Sequence, residues 1–149
     1  MSYQKLCNLA EKDWKDNQLI YSACKKVISK VTQGNPCDFA HLTFSSFDSF
    51  TDFSLCSEDV VRLAQYLSGD RIGLFKLGFE YITEEESFVL CVDNATYAVL
   101  ENAIEHPRSG ELIENVQDDV FVFFELNHDL AIELQSEQVL PFPLESDHE

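Results

Sequence analysis

Three features of the chain predict an α+β fold. Two amphipathic helical patterns open it, strand-like alternation fills its middle, and five consecutive β-favouring apolar residues, Val120 to Phe124, stand near its end. The expected architecture is a single layer of antiparallel hairpins packed with about four helices, beginning with an N-terminal helix pair. Residues 1–144 are expected to form one acidic domain and residues 145–149 a frayed tail.

Leu6, Leu9, Ala10 and Trp14 place one apolar face on residues 3–15, the first helix. Asp16 or Asn17 can cap a second, in which Ile20, Ala23, Cys24, Val27, Ile28 and Val31 keep the helical period until Gly34-Asn35-Pro36 stops it. Its Lys25, Lys26 and Lys30 suit the negative end of the helix dipole. Phe44, Phe47, Phe50 and Phe53 then recur every third residue among Ser, Thr and Asp. Those intervening residues are poor helix formers, so the pattern predicts a turn-rich or 3-10 segment with its rings in the core. The competing reading is an exposed aromatic contact loop made of the same four rings.

Ser57 is the expected N-cap of a further helix, with Glu58 and Asp59 in its first turn and Gly69 beyond its end. Phe75, Leu77, Phe79 and Tyr81 alternate with Lys76, Gly78 and Glu80. With the acidic turn Thr83 to Ser87 and the run Phe88 to Val92, they predict a hairpin. A helix is expected to start at Asp93 or Asn94 and run through Ala98, Leu100, Ala103 and Ile104, although Thr96 to Leu100 also reads as strand. Val120 to Phe124 should lie inside a sheet, covered on both faces. Asn127, His128 and Asp129 should then turn that strand into a second one carrying Leu130, Ile132 and Leu134. Leu140 and Phe142, set between Pro141 and Pro143, can supply at most an edge element.

Charge separates this chain from an average domain. Residues 1–33 hold six Lys against three acids, whereas residues 34–149 hold 24 acids against four bases, for a total of −17. At about 8 Å of screening length, neighbouring surface carboxylates still feel one another, so part of the surface must be strongly negative. A nucleic acid is a poor direct partner for such a chain, because polyphosphate binding is driven by Lys and Arg contacts. No run of about 18 apolar residues is present to span a membrane, and the charged start lacks a signal-peptide core, so a cytoplasmic location is expected. Five widely spaced cysteines fit reduced, mostly buried thiols.

Catalytic signatures are sparse. His41-Leu42-Thr43 matches half of a paired His-x-Thr motif that has no second half here, and the glycine patterns of phosphate-binding loops and the EF-hand order are missing. No enzyme activity, cofactor or metal is therefore expected. What many carboxylates do well is attract a cationic macromolecule, by raising the rate of encounter. The profile implies a cytosolic inhibitor or immunity-type protein that binds and neutralises a basic toxin or nuclease domain. Glu84, Glu85, Glu86, Asp118, Asp119, Glu125, Asp129 and Glu133 are the candidate contacts. Two alternatives are a nucleic-acid mimic that blocks a DNA-binding defence or restriction enzyme, and a small enzyme assembled from His41, His128 and scattered carboxylates.

Overall fold

The computed structural model describes residues 2–139, with side chains as far as Gln135. The expected edge element at Leu140 and the tail 145–149 lie outside the described residues. The fold is α+β, with six α-helices and two small antiparallel sheets among the described residues. Two compact units divide the described residues: those up to Lys76 together with those from Phe124 to Val139, and Leu77–Phe123 between them.

In the first unit, α1 (Tyr3–Asp13) and α2 (Gln18–Gln33) form the predicted pair. Ser2 Oγ accepts from Lys5 N at 3.1 Å and Asn17 Oδ1 from Ile20 N at 3.2 Å, so each helix starts on a side-chain cap. After a 3-10 turn at Pro36–Phe39, α3 (Phe44–Phe50) occupies the stretch expected to be turn-rich. Local signals make this short helix possible despite its poor formers. Ser46 Oγ accepts from Thr43 N at 3.1 Å at one end, and Thr51 Oγ1 donates to the Phe47 carbonyl at 3.0 Å at the other. Phe47 is fully buried among Phe50, Phe75 and Phe124, all edge-on to it. Next comes α4 (Ser57–Ser68), whose N-cap is Cys56, with Ser57 already the first helical residue.

The second correction concerns the end of the chain. Strand β5 (Val120–Leu126) forms as expected, but it stands at an edge of a three-stranded sheet of order β2-β1-β5, and Phe121 is exposed on it. In that sheet β1 is Phe75–Ile82 and β2 is Ser87–Val89. An isolated bridge to Leu42 pairs with Phe124, through two 2.8 Å bonds. The expected hairpin beyond it is a helix, α6 (His128–Val139). Asn127 is the pivot: its N–H donates to Leu74 O at 2.8 Å and its Nδ2 to Gly73 O at 2.9 Å, while its own carbonyl accepts from Ala131 N at 2.9 Å. A strand would bury Leu130, Ile132 and Leu134 together. Instead Leu130, Ala131 and Leu134 are buried and Ile132 is 63% exposed, which is helical phase. Gln135 Nε2 then donates to Val31 O and Gly34 O at 3.2 and 2.8 Å, tying α6 to the end of α2.

Asp13, the last residue of α1, joins three segments of this unit. Its Oδ2 accepts from Arg71 Nε at 2.6 Å and from the Tyr66 hydroxyl at 2.5 Å, and Tyr66 also packs edge-on against Trp14. The Arg71 hydrogen bond holds the Asp13 carboxyl below its ordinary range; partial desolvation opposes that, and the Tyr66 bond reinforces it. A depressed carboxylate contributes stability that is complete above its unfolded value, about 3.9, and is lost as pH falls through the folded one. The stability difference between the wild type and Asp13→Asn is therefore expected to be constant near neutrality and to shrink below about pH 4. Urea titrations followed by the fluorescence of Trp14 measure it, and a difference that grows on acidification contradicts this linkage.

The second unit is built from the rest of β1, the predicted hairpin to β2, α5 (Val92–Glu101), and a β3–β4 hairpin (Ala103–Glu105 with Leu112–Glu114). Helix α5 ends earlier than its apolar pattern implied. Asn102 takes a left-handed conformation (φ 54°) and its carbonyl and Oδ1 accept from Asn115 N and Gln117 N, at 2.8 and 2.9 Å. That turn sends Ala103 and Ile104 into a strand. Asn94 pins α5 to β3 by pairing with both backbone groups of Glu105, at 2.7 and 2.8 Å. Tyr81, Leu90, Ala95, Ala98, Ile104 and Val116 form this unit's core.

Candidate partner-binding surface

The second unit concentrates the charge. Residues 77–123 contain eleven carboxylates and one cation, Arg108, for a net of −10. Five of the eight predicted contacts lie in it. Glu84 and Glu85 are exposed at the tip of the β1–β2 hairpin, where Thr83 Oγ1 accepts from the backbone N–H of Glu85 and Glu86 at 3.3 and 3.2 Å and fixes the turn. Asp118 and Asp119 sit in a 3-10 turn, Gln117–Asp119. Tyr81 reports that part of this set converges: burial first, then the negative fields of Asp119, Glu86 and Glu85, push its phenol above its ordinary value.

The other three belong to the first unit. Glu125 is half-buried in β5, and Asp129 and Glu133 are exposed one turn apart on α6, so they are not the arms of a hairpin. The aromatic ladder also divides. Phe47 is in the core and offers no surface contact, whereas Phe50 is half-buried, packed on Phe39 and Phe47. Phe44 reaches solvent while stacked edge-on against Phe124, and Phe53 is 71% exposed, with Asp52 and Phe53 each at φ 57°.

Two grooves mark the second unit. The larger and more polar, about 890 Å³, is lined by Cys91, Asp93, Asn94, Tyr97, His106 and Arg108, among others. Its histidine is fully engaged. His106 Nδ1 accepts from the backbone N–H of Arg108 and Ser109 at 3.1 and 3.4 Å, which leaves the proton on Nε2 to donate to Glu86 Oε1 at 2.9 Å. Its ring also packs edge-on to Phe88. With both nitrogens committed, His106 braces the β3–β4 turn against the β1–β2 turn and presents no lone pair to a substrate or metal. No cluster of three or more His, Cys, Asp or Glu with metal-binding geometry occurs among the described residues. His41 and His128, the histidines singled out from sequence, are both exposed in the first unit and line neither groove.

The second groove, about 340 Å³, runs between β1 and α5 and is lined chiefly by Leu77, Phe79, Leu90, Val92, Val99 and Leu100. Sequence reasoning placed Leu100 in the apolar pattern of a helix through Ala98, Ala103 and Ile104 and did not foresee the groove. The signal was present: apolar residues at 92, 95, 97, 98, 99 and 100 surround α5 almost completely, more than one buried face needs.

The thiols divide differently from expectation. All five are free, but only Cys7 and Cys24 are buried, while Cys37, Cys56 and Cys91 are exposed. Burial pushes the Cys24 thiol up to about 12. A disulfide reagent should therefore modify three thiols of the native protein within minutes and the other two only after denaturation. Rapid native modification of all five contradicts this packing.

The class defined by this fold and surface is an acidic α+β protein with an apolar groove on its most acidic unit. Comparison with protein-family models, curated proteins and solved structures finds no match to the chain. No described helix is long and apolar enough to cross a membrane.

Proposed function

We infer that this protein is a cytoplasmic binding protein that captures and neutralises a basic partner, in the manner of an immunity-type inhibitor of a cationic toxin or nuclease domain. One observation carries the reading: the unit 77–123 combines a charge of −10 with nine of the thirteen large apolar side chains exposed on the described surface. Carboxylates accelerate encounter with a cationic surface, and exposed apolar groups supply the desolvated contact that holds it. This combination favours a protein partner over direct mimicry of nucleic acid, whose own contact surface is phosphate and sugar. The engaged state of His106 supports binding over catalysis.

The test uses immobilised cationic nuclease domains, measured at 50 and 500 mM salt against the wild type and a Glu84→Lys/Glu85→Lys/Asp118→Lys/Asp119→Lys variant. Expected are capture of a nuclease domain at low salt, loss of its turnover in the complex, weakening with salt, and at least tenfold weaker capture by the variant. No capture at 50 mM salt, or capture indifferent to both salt and charge reversal, defeats the proposal.

A further inference from the structure

We propose that the β1–α5 groove is the docking site for a cationic amphipathic helix of the partner, a step that rests on the partner-binding reading above. On α5, Val92, Thr96, Val99 and Leu100 fall at the spacing of a single helical ridge, and Leu77 of β1 faces them across the groove. Val92, Val99, Leu100 and Leu77 are 83, 72, 73 and 51% exposed, and no described segment of the chain covers them. An apolar ridge beside a groove is the complement of a second helix, which seats its own ridge there.

Charge selects which helix. Glu101 is the last residue of α5, directly after Leu100, and the final turn of that helix holds no basic residue. A carboxylate at a helix C-terminus adds to the negative end of the dipole, so this position weakens the helix that carries it. A Lys or Arg of an incoming helix relieves that repulsion. The unit that holds the groove carries the same sign as a whole, with ten of its other charged groups being carboxylates. A second copy of this chain brings the same net negative charge, the apolar face of its Lys-bearing α2 is buried in its own unit, and its residues beyond 135 hold only acids among their charged side chains, so none of these matches the groove as a cationic amphipathic segment does.

The probe is a fluorescein-labelled 18-residue Leu/Lys amphipathic peptide, with a Leu/Glu peptide of the same pattern and oligolysine as controls, titrated by anisotropy. The wild type is expected to bind Leu/Lys and to ignore Leu/Glu. Val99→Ser/Leu100→Ser, exposed positions whose change leaves charge and core intact, should weaken Leu/Lys binding at least tenfold and leave oligolysine binding unchanged. Leu112→Ser, exposed on β4 outside the groove, should change nothing, and Glu101→Gln should flatten the salt dependence. Leu/Lys binding by the double variant within twofold of wild type overturns the groove assignment. If the four-site charge reversal still abolishes binding in that case, the acidic-surface reading survives without the groove. Concentration-dependent dimerisation that the double variant abolishes assigns the groove to a second copy and also overturns it.

Discussion

Phe47→Ala is expected to lower the free energy of unfolding by about 3–5 kcal/mol, the largest effect of any single change considered. Phe47 is fully buried in a seven-residue helix that cannot persist alone, and its ring is what fastens that helix to the unit. Its centroid lies 6.2 Å from Phe50, 5.3 Å from Phe75 and 5.2 Å from Phe124, so truncation opens a cavity among three aromatic walls. Rings that are themselves packed cannot collapse into that space without leaving their rotamers. Phe53→Ala is the control, since its ring is largely in solvent; its effect should stay within about 0.5 kcal/mol. Urea unfolding monitored through Trp14 reports both. A Phe47→Ala loss below about 1 kcal/mol would mean that the aromatic cluster is not where this unit is held.

Gly78→Ala is the second, expected to destabilise the unit 77–123 by about 1–3 kcal/mol. Alanine in a strand interior would ordinarily gain about 0.5–1 kcal/mol over glycine, so the predicted sign comes from packing alone. A methyl built on Gly78 comes within 2.6 Å of Phe123 Cε1 and overlaps the ring further at Cζ. Phe123 is itself buried, and a flat ring has no flexible end with which to yield. The diagnostic is the pair: Gly78→Ala/Phe123→Leu should recover much of the loss, giving a coupling that two independent sites lack. Trp14 lies in the other unit, so the readout is amide exchange at the core positions Tyr81 and Leu90. Unchanged protection in Gly78→Ala contradicts the close approach.

Much of the fold was legible because its signals are local. Asn17 before an apolar period, Gly34-Asn35-Pro36 after it, and Thr83 to Glu86 between two alternating runs each specify their own backbone, and the structure keeps all three. The acidic hairpin tip was legible for the same reason, since Glu84 and Glu85 need only be in a turn to be exposed. The misreadings lie where one residue set satisfies two periods. Leu130, Ile132 and Leu134 suit a strand, but Leu130, Ala131 and Leu134 suit a helix equally, and nothing within those residues chooses. Asn127 chooses, by bonds to Gly73 and Leu74 more than 50 residues away.

The surface followed the same division. Composition alone determined that this chain folds around an apolar core and carries a strong negative field, because both are sums over residues and are insensitive to where each one goes. Tertiary structure decided that the field is densest on residues 77–123, that His106 is a brace, and that α5 leaves Val92, Val99 and Leu100 uncovered. Exposure is a property of what packs against a residue. A helix apolar on nearly every side states that something must cover it, and only the packed chain shows which side was left open.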